Sequence, residues 1–73
     1  MYDINTIEGM NRAVEWTRET FEQIKDGGVW IVPRSGTIVT VHHNTRSVTI
    51  NPGFLPDTSI KRVIEAMGWS VDD

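Results

Sequence analysis

Cysteine is absent from this chain of 73 residues, which excludes disulfide bonds, thiolate zinc sites and a cysteine nucleophile. Long apolar runs are also lacking: none approaches the length of about 18 residues that a membrane-spanning helix needs, and the N-terminus has no basic segment followed by an apolar one. Because secreted domains of this size usually carry disulfides, we expect a cytoplasmic protein. A chain this short has room for one modest core, so we expect a single domain over residues 1–73.

Positive charge is scarce: seven Lys and Arg residues against ten Asp and Glu residues give a formal net charge of −3. Nucleic-acid-binding domains usually carry an excess of positive charge, so the composition disfavours that class. Four cations are nonetheless concentrated in residues 29–62, against Asp57 alone: Arg34, Arg46, Lys61 and Arg62. Because basic residues beside an aromatic side chain can contact phosphates and stack a base, RNA binding stays open as an alternative.

The first third of the chain has the periodicity of an amphipathic helix. Its apolar and small residues recur at spacings that place them on one helical face: Ile7, Met10, Val14, Thr17, Phe21 and Ile24. Asn5 and Glu8 have the spacing of a capping box, and the glycines after Asp26 suit the left-handed conformation that ends a helix. The pattern predicts helix 1 from about Ile4 to Asp26.

The middle of the chain is rich in β-branched residues, which favour strands. Turn-forming segments divide it into predicted strands over residues 29–33, 37–42 and 46–51, arranged as an antiparallel meander. Since side chains alternate along a strand, we expect an inward set that faces the helices: Val29, Ile31, Val39, Val41, Val48 and Ile50. The outward set would then be Trp30, Val32, Ile38, Thr40, His42, Ser47 and Thr49. In that arrangement Trp30, Val32 and Ile38 form an exposed apolar patch, which is typical of an interface.

Turn-forming residues up to Pro56 separate the last strand from a second helix, which we predict over residues 57–67 with Asp57 or Thr58 as its N-cap. Gly68 suits a left-handed C-terminal cap that brings Trp69 back near Ile64, and residues 70–73 should form a frayed acidic tail. The helix has a complete apolar stripe: Ile60, Val63, Ile64 and Met67. The predicted fold class is α+β, in the order α-β-β-β-α, with two helices packed on one face of a three-stranded antiparallel sheet.

Two segments carry a resemblance to a known family. Residues 48–52, Val-Thr-Ile-Asn-Pro, lead into the helical segment from Asp57 to Gly68, and the turn from Arg34 to Gly36 follows a glycine pair at 27 and 28. This arrangement resembles the HicA-like toxins over residues 20–69. The resemblance implies a double-stranded-RNA-binding-domain-like fold, with two helices on one face of a three-stranded sheet.

The chain also departs from that family. HicA-like toxins cleave RNA with a histidine that follows a pair of small residues just after the first turn. Here Gly36 and Thr37 are followed by Ile38, which can neither accept nor donate a proton. Helix 1 is longer than is usual in the family, and the chain is acidic where the family's toxins tend to be basic. A HicA-like RNA-cleaving toxin, with His42 or His43 in the histidine's role, or a catalytically inactive RNA-binding relative, is therefore the alternative hypothesis.

The titratable side chains form no catalytic pattern. His42 and His43 are adjacent, and neighbours on a strand point to opposite faces, so the two imidazoles should not act together on one bond or hold one metal. Glu15, Glu19 and Glu22 form an acidic ridge along helix 1, which is either a solvated face or a surface for a basic partner. We identify no catalytic residue, metal site or cofactor motif, and we predict that the chain is not an enzyme.

We therefore expect a small non-catalytic regulator that binds another macromolecule, with a protein as the preferred partner, and blocks a site which that partner needs. Compact acidic proteins of this kind occur among phage-encoded modulators of host machinery, such as regulators of bacterial RNA polymerase, and this narrower hypothesis rests on size and charge alone. A homodimer through the sheet face is a further hypothesis. The residues predicted to bind a partner are Trp30, Arg34, Ile38, His42, His43, Arg46, Lys61, Arg62, Glu15, Glu19 and Glu22.

Overall fold

Six elements make up the described part of the chain, residues 3–55 and 57–72 of a computed structural model. In chain order they are α1 (Ile7–Glu22), β1 (Val29–Ile31), β2 (Ile38–His42), β3 (Ser47–Asn51), α2 (Ser59–Ala66) and β4 (Ser70–Asp72). The strands form one sheet in the order β1-β2-β3-β4, antiparallel except for β4, which runs parallel to β3. The α+β class and the antiparallel β1-β2-β3 meander are confirmed, whereas the prediction of a purely antiparallel three-stranded sheet is wrong.

The fourth strand occupies the segment for which a frayed tail was expected. A left-handed Gly68 (φ 87°) ends α2 in a Schellman motif, because the N–H of Trp69 donates to the carbonyl of Ile64 (3.2 Å) and that of Gly68 to Glu65 (3.0 Å). This turn directs the chain back along the sheet, where Val71 pairs beside Val48 and packs on the core. The tail prediction is therefore wrong for residues 70–72, and Asp73 lies outside the described residues.

Helix α1 is shorter than predicted at both ends. Its N-cap is Thr6 rather than Asn5, since the Thr6 hydroxyl accepts a hydrogen bond from the N–H of Gly9 (3.0 Å). The side chain of Ile7 is 84% exposed, and the face toward the core is lined instead by small residues as well as Phe21. The buried positions are Gly9, Ala13, Thr17 and Phe21, so Ile7 was wrongly assigned to the buried stripe.

Strand β1 presents its side chains in the phase opposite to the prediction. Trp30 pairs with Val39, which is fully buried, and so Trp30 faces the helices together with Val32. Val29 and Ile31 face outward, with 55% and 62% of their side chains exposed. Four consecutive apolar residues contain no polar position to mark the outer face, so alternation alone could not fix the phase. The predicted inward positions in β2 and β3 are confirmed.

The core lies between the inner face of the sheet and both helices. Its buried members are Phe21, Val39, Val41, Val48, Ile60, Ile64 and Met67. Phe21 is its aromatic centre, with ring centroids 5.9 Å from Trp30 and 5.2 Å from Trp69. Helix α2 contributes the apolar stripe predicted for it, although its helical bounds are narrower than 57–67. None of the described helices is long and apolar enough to cross a membrane.

We expect Gly68→Ala to lower the free energy of unfolding by about 1 kcal/mol, because a Cβ is disfavoured in the left-handed conformation of the α2 cap. Urea denaturation measures the loss. Gly68→Asn is the matched control at the same position, since asparagine adopts this conformation more readily, and it should lie between glycine and alanine. Equal stability of the alanine variant and the wild type would contradict the left-handed cap assigned to Gly68.

Candidate functional site

An open apolar groove lies between α1, β1 and the first turns of α2. Its volume is about 370 Å³, within the range typical of ligand-binding clefts. The residues that line it are Ile4, Ala13, Trp16, Thr17, Trp30, Val32, Pro33, Arg34, Asp57, Ser59, Ile60 and Val63. We call this feature the α1–α2 groove, and its polar side chains are gathered mainly around the turn after β1 and the start of α2.

Two tryptophans form one wall of the α1–α2 groove. The rings of Trp16 and Trp30 meet edge to face, with their centroids 5.5 Å apart, and Trp30 in turn packs on Phe21 in the core. Trp16 keeps 43% of its side chain exposed. The core thus fixes Trp30 from behind, while Trp16 presents a large apolar surface to the solvent.

A hydrogen-bond cluster that is partly buried fixes the end of the groove. The hydroxyl of Ser35 donates to Oδ2 of Asp57 (3.2 Å) and contacts the hydroxyl of Thr37 (2.9 Å). The other oxygen of Asp57, Oδ1, accepts from the N–H of Ile60 (3.2 Å) and the hydroxyl of Ser59 (2.7 Å), and so caps α2. This Ser35–Asp57 cluster ties the β1–β2 turn to the start of α2. These three hydrogen bonds are sufficient to explain why a carboxylate lies at position 57.

The segment before α2 also closes tightly on the β1–β2 turn. The N–H of Phe54 donates to the carbonyl of Ser35 (2.6 Å), and a Cβ on Gly53 would lie only 2.1 Å from that same oxygen. Gly53 is therefore required for the close approach of these two loops. Its contact keeps the turn that carries Arg34 at the mouth of the groove.

Arg34 is the cation placed at this mouth. It is exposed, and among residues 3–55 and 57–72 no hydrogen bond or ion pair to its guanidinium is found. Its backbone has a φ of 75°, which a residue with a Cβ rarely adopts. Near the other side of the groove, the Arg62 guanidinium donates to Oδ1 of Asn5 (3.4 Å), next to the lining residue Ile4.

The cations that the sequence groups together are divided by the fold. Arg34 lies in the turn before β2 and Arg46 in the turn after it, so the two are at opposite ends of the sheet. Arg46 borders a second cleft of about 420 Å³ with Arg18, Glu22, His43 and Trp69. Lys61 is exposed and does not line the α1–α2 groove. The four cations that are concentrated between residues 29 and 62 of the sequence therefore do not form one basic patch in the fold.

The two histidines have separate surroundings. His42 lies on the outer sheet face, where its Nε2 is 3.1 Å from the hydroxyl of Thr49. Nε2 of His43 is 2.7 Å from the carbonyl of Ile24, and it must donate there because a carbonyl oxygen only accepts. The His43 ring also meets Trp69 edge to face at 5.8 Å. His43 thus fastens the chain after α1 to the β2–β3 turn.

The predicted acidic ridge remains on the surface. Glu15, Glu19 and Glu22 are all exposed, and only Glu22 borders one of the two clefts described here. Neighbouring cations have other partners: Arg12 pairs with Glu8 (2.8 Å) and Arg18 donates to the carbonyl of Met67 (3.3 Å). In the described part of the chain, no group of three His, Cys, Asp or Glu side chains is placed to hold a metal ion.

Sequence reasoning identified Trp30 and Arg34 but placed Trp30 on the wrong face, and Ile38 indeed lies on the outer face, opposite Ile31. It missed Trp16 as the partner of Trp30 and the link from Ser35 to Asp57. The small hydroxyl residues and the glycine at positions 35–37 indicate a turn, but they do not identify the partner of Ser35. No signal connects residues 35 and 57 before the fold is known.

Comparison with protein-family models, with curated proteins and with solved structures found no match to this chain. The resemblance to the HicA-like toxins therefore stays a prediction.

We expect His43→Ala to destabilise the chain by about 1–3 kcal/mol, because it leaves the Ile24 carbonyl without its donor and removes a ring contact with Trp69. His42→Ala should cost less, since it loses one hydrogen bond near the solvent. Urea denaturation of both variants provides the comparison. A smaller loss for His43 than for His42 would contradict the structural role assigned to His43.

Proposed function

We infer that this chain is a non-catalytic binding protein whose α1–α2 groove docks an acidic, partly apolar segment of a protein partner. The observation that carries the proposal is the combination of an exposed tryptophan wall with a cation at the mouth of the groove, formed by Trp16, Trp30 and Arg34. Tryptophan and arginine are the residue types that most often dominate protein interfaces. Binding there blocks the occupied surface of the partner, which makes the chain a regulator by occlusion.

The chemistry of the groove favours an apolar side chain followed by a carboxylate. Trp16, Trp30 and Val32 offer apolar contact area, and burial of such area is the main favourable term in association. Arg34 lies at the mouth and Arg62 near the other side of the groove, whereas the Asp57 carboxylate is occupied by three donors. A carboxylate can pair with the Arg34 guanidinium in a bidentate geometry.

The backbone at Arg34 also supports a role for its side chain. A left-handed φ of 75° favours glycine over a residue with a Cβ. Glycine at this position would relieve that conformational cost but would remove the charge from the groove. Arg46 is left-handed too (φ 49°) and borders the second cleft, so the backbone alone does not distinguish Arg34. Its position beside Trp16 and Trp30 in the α1–α2 groove does.

We favour binding over RNA cleavage for a geometric reason. His42 and His43 make hydrogen bonds on different sides of the sheet, to Thr49 and to Ile24, and neither lines the α1–α2 groove. We favour a protein over RNA because Arg34 and Arg46 are at opposite ends of the sheet and exposed acids cover α1. Phosphate binding depends on several cations that act together.

Bacterial RNA polymerase remains the narrower hypothesis for the partner. The purified polymerase, mixed with the chain and separated by size exclusion, is the direct test. Co-elution that depends on Arg34 supports a modulator of transcription. Separate elution excludes polymerase as the partner, and the groove proposal is then tested by lysate capture with Arg34→Gly.

We expect Arg34→Gly to reduce retention of the partner at least about tenfold while the chain remains at least as stable as the wild type. The tagged variant and the wild type are used to capture proteins from a nuclease-treated bacterial lysate, with quantitative mass spectrometry of the bound fraction. Loss of a protein from the variant, without loss of stability in urea denaturation, separates binding from folding.

Arg46→Gly is the matched control, because Arg46 is also exposed and also left-handed (φ 49°) but lies at the far end of the sheet. It should retain the partner as the wild type does. Equal retention by both glycine variants contradicts the groove. The same capture from a lysate without nuclease is the parallel arm, and bound proteins that appear only there, for every variant, would instead favour the RNA-directed alternative.

A further inference from the structure

Strand β1 lies at one edge of the sheet, with β2 on one side and no strand on the other in the described part of the chain. Residues 28–32, Gly-Val-Trp-Ile-Val, carry no charge. The strand at the opposite edge, β4, contains Asp72. Proteins usually protect strand edges with charges, proline or bulges, because an exposed edge can pair with another strand. The β1 edge lacks such a charge.

Backbone hydrogen bonds just before and just after β1 determine which of its N–H and C=O groups pair with β2. The N–H of Val32 donates to the carbonyl of Thr37 (2.8 Å). The N–H of Val41 donates to the carbonyl of Gly28 (2.9 Å). Antiparallel ladders alternate between bonded and non-bonded pairs, so the phase of the strand between these two bonds is determined.

The bonded pair in the middle is therefore Trp30 with Val39. The N–H and C=O groups of Val29 and Ile31 consequently point away from β2, toward the free edge. No other backbone or side-chain hydrogen bond reaches these four groups from residues 3–55 or 57–72. The edge presents two donors and two acceptors, flanked by the exposed apolar side chains of Val29 and Ile31.

We propose that the β1 edge binds the same edge of a second copy of this chain, in an antiparallel pair with its two-fold axis at Trp30. In this register Val29 of each copy lies opposite Ile31 of the other, and both pairs are of the hydrogen-bonded kind. Four intermolecular bonds satisfy all the free groups of both strands. The sheet continues through the dimer as eight strands.

The neighbouring two-fold registers leave groups unpaired, which favours the one centred on Trp30. A pair centred on Ile31 would place Val29 opposite Pro33, which has no N–H. A pair centred on Val29 would place Ile31 opposite Gly27, whose N–H already donates to the carbonyl of Val41 (2.8 Å). The sequence of β1 is thus complementary to itself in one register.

Side chains on both faces support the same arrangement. On the outer face, Val29 and Ile31 would contact each other across the copies and continue into Ile38, which pairs with Ile31 within each copy. On the inner face, Trp30 meets its counterpart at a non-bonded pair, where cross-strand side chains come closest. A second copy therefore covers apolar surface that is exposed on β1 in the single chain.

Analytical ultracentrifugation of the wild-type chain from about 1 μM to about 1 mM tests the dimer, since short interfaces of this kind are weak. Amide hydrogen exchange is followed by NMR over the same range. We expect the Val29 and Ile31 amides to become protected as the dimer forms. A chain that stays monomeric to about 1 mM, or a dimer in which both amides exchange as fast as in the dilute monomer, overturns the proposal.

Ile31→Pro removes a donor that the β1–β2 ladder does not use, so it should keep the fold and weaken dimerisation at least about tenfold. Ile31→Val is the matched control, because it keeps the N–H and a β-branched side chain, and it should retain the dimer. Dimerisation of the folded proline variant at wild-type strength also overturns the proposal. If the proline variant does not fold, the protection of the Val29 and Ile31 amides in the wild type tests the proposal instead. Arg34→Gly should leave the dimer intact, so this inference stands or fails separately from the groove.

Discussion

The pairing of Trp30 with Val39 is the constraint on which the other features of this molecule depend. Val39 is fully buried, so its partner must face the helices, and this sets the phase of the whole of β1. Trp30 and Val32 then line the α1–α2 groove, and Val29 and Ile31 lie on the outer face. The same phase directs the unused backbone groups of Val29 and Ile31 to the free edge. One residue pair thus determines both surfaces that a partner could contact.

At the end of the groove, the Ser35–Asp57 cluster holds the β1–β2 turn against the start of α2. Ser35 and Thr37 are buried, where an unpaired hydroxyl would be costly, and Asp57 gives the hydroxyl of Ser35 an acceptor. The same carboxylate caps α2. Because one side chain serves both the turn and the helix, the position of Arg34 relative to α2 does not depend on a flexible loop. In the proposed complex, a turn backbone held in this way would lose less conformational freedom on binding.

The sequence was sufficient for the features that local rules determine, namely the two helices, the antiparallel meander and the Schellman cap at Gly68. It was insufficient for the features that depend on contacts between residues far apart in the sequence. β4 contains one apolar residue, Val71, so no periodicity marks it as a strand, and it forms because the Gly68 turn places it beside β3. The run from Val29 to Val32 fits both phases equally well, and only pairing with the β2 residues distinguishes them. The groove was missed for the same reason, because it requires Trp30 to face inward.

Net charge describes this molecule poorly, since its charges are separated in space. The exposed carboxylates of Glu15 and Glu19 lie along α1, whereas Arg34 lies at the mouth of the groove and Arg62 near its other side. A formal charge of −3 disfavours the binding of nucleic acid by the surface as a whole. An acidic segment that approaches the groove would nevertheless meet the cations near it first. Because charges separated by more than about 8–10 Å are largely screened at physiological ionic strength, the local cations rather than the net charge would govern the approach of a charged segment in the proposed complex. Arg46 at the far end of the sheet contributes little to that attraction.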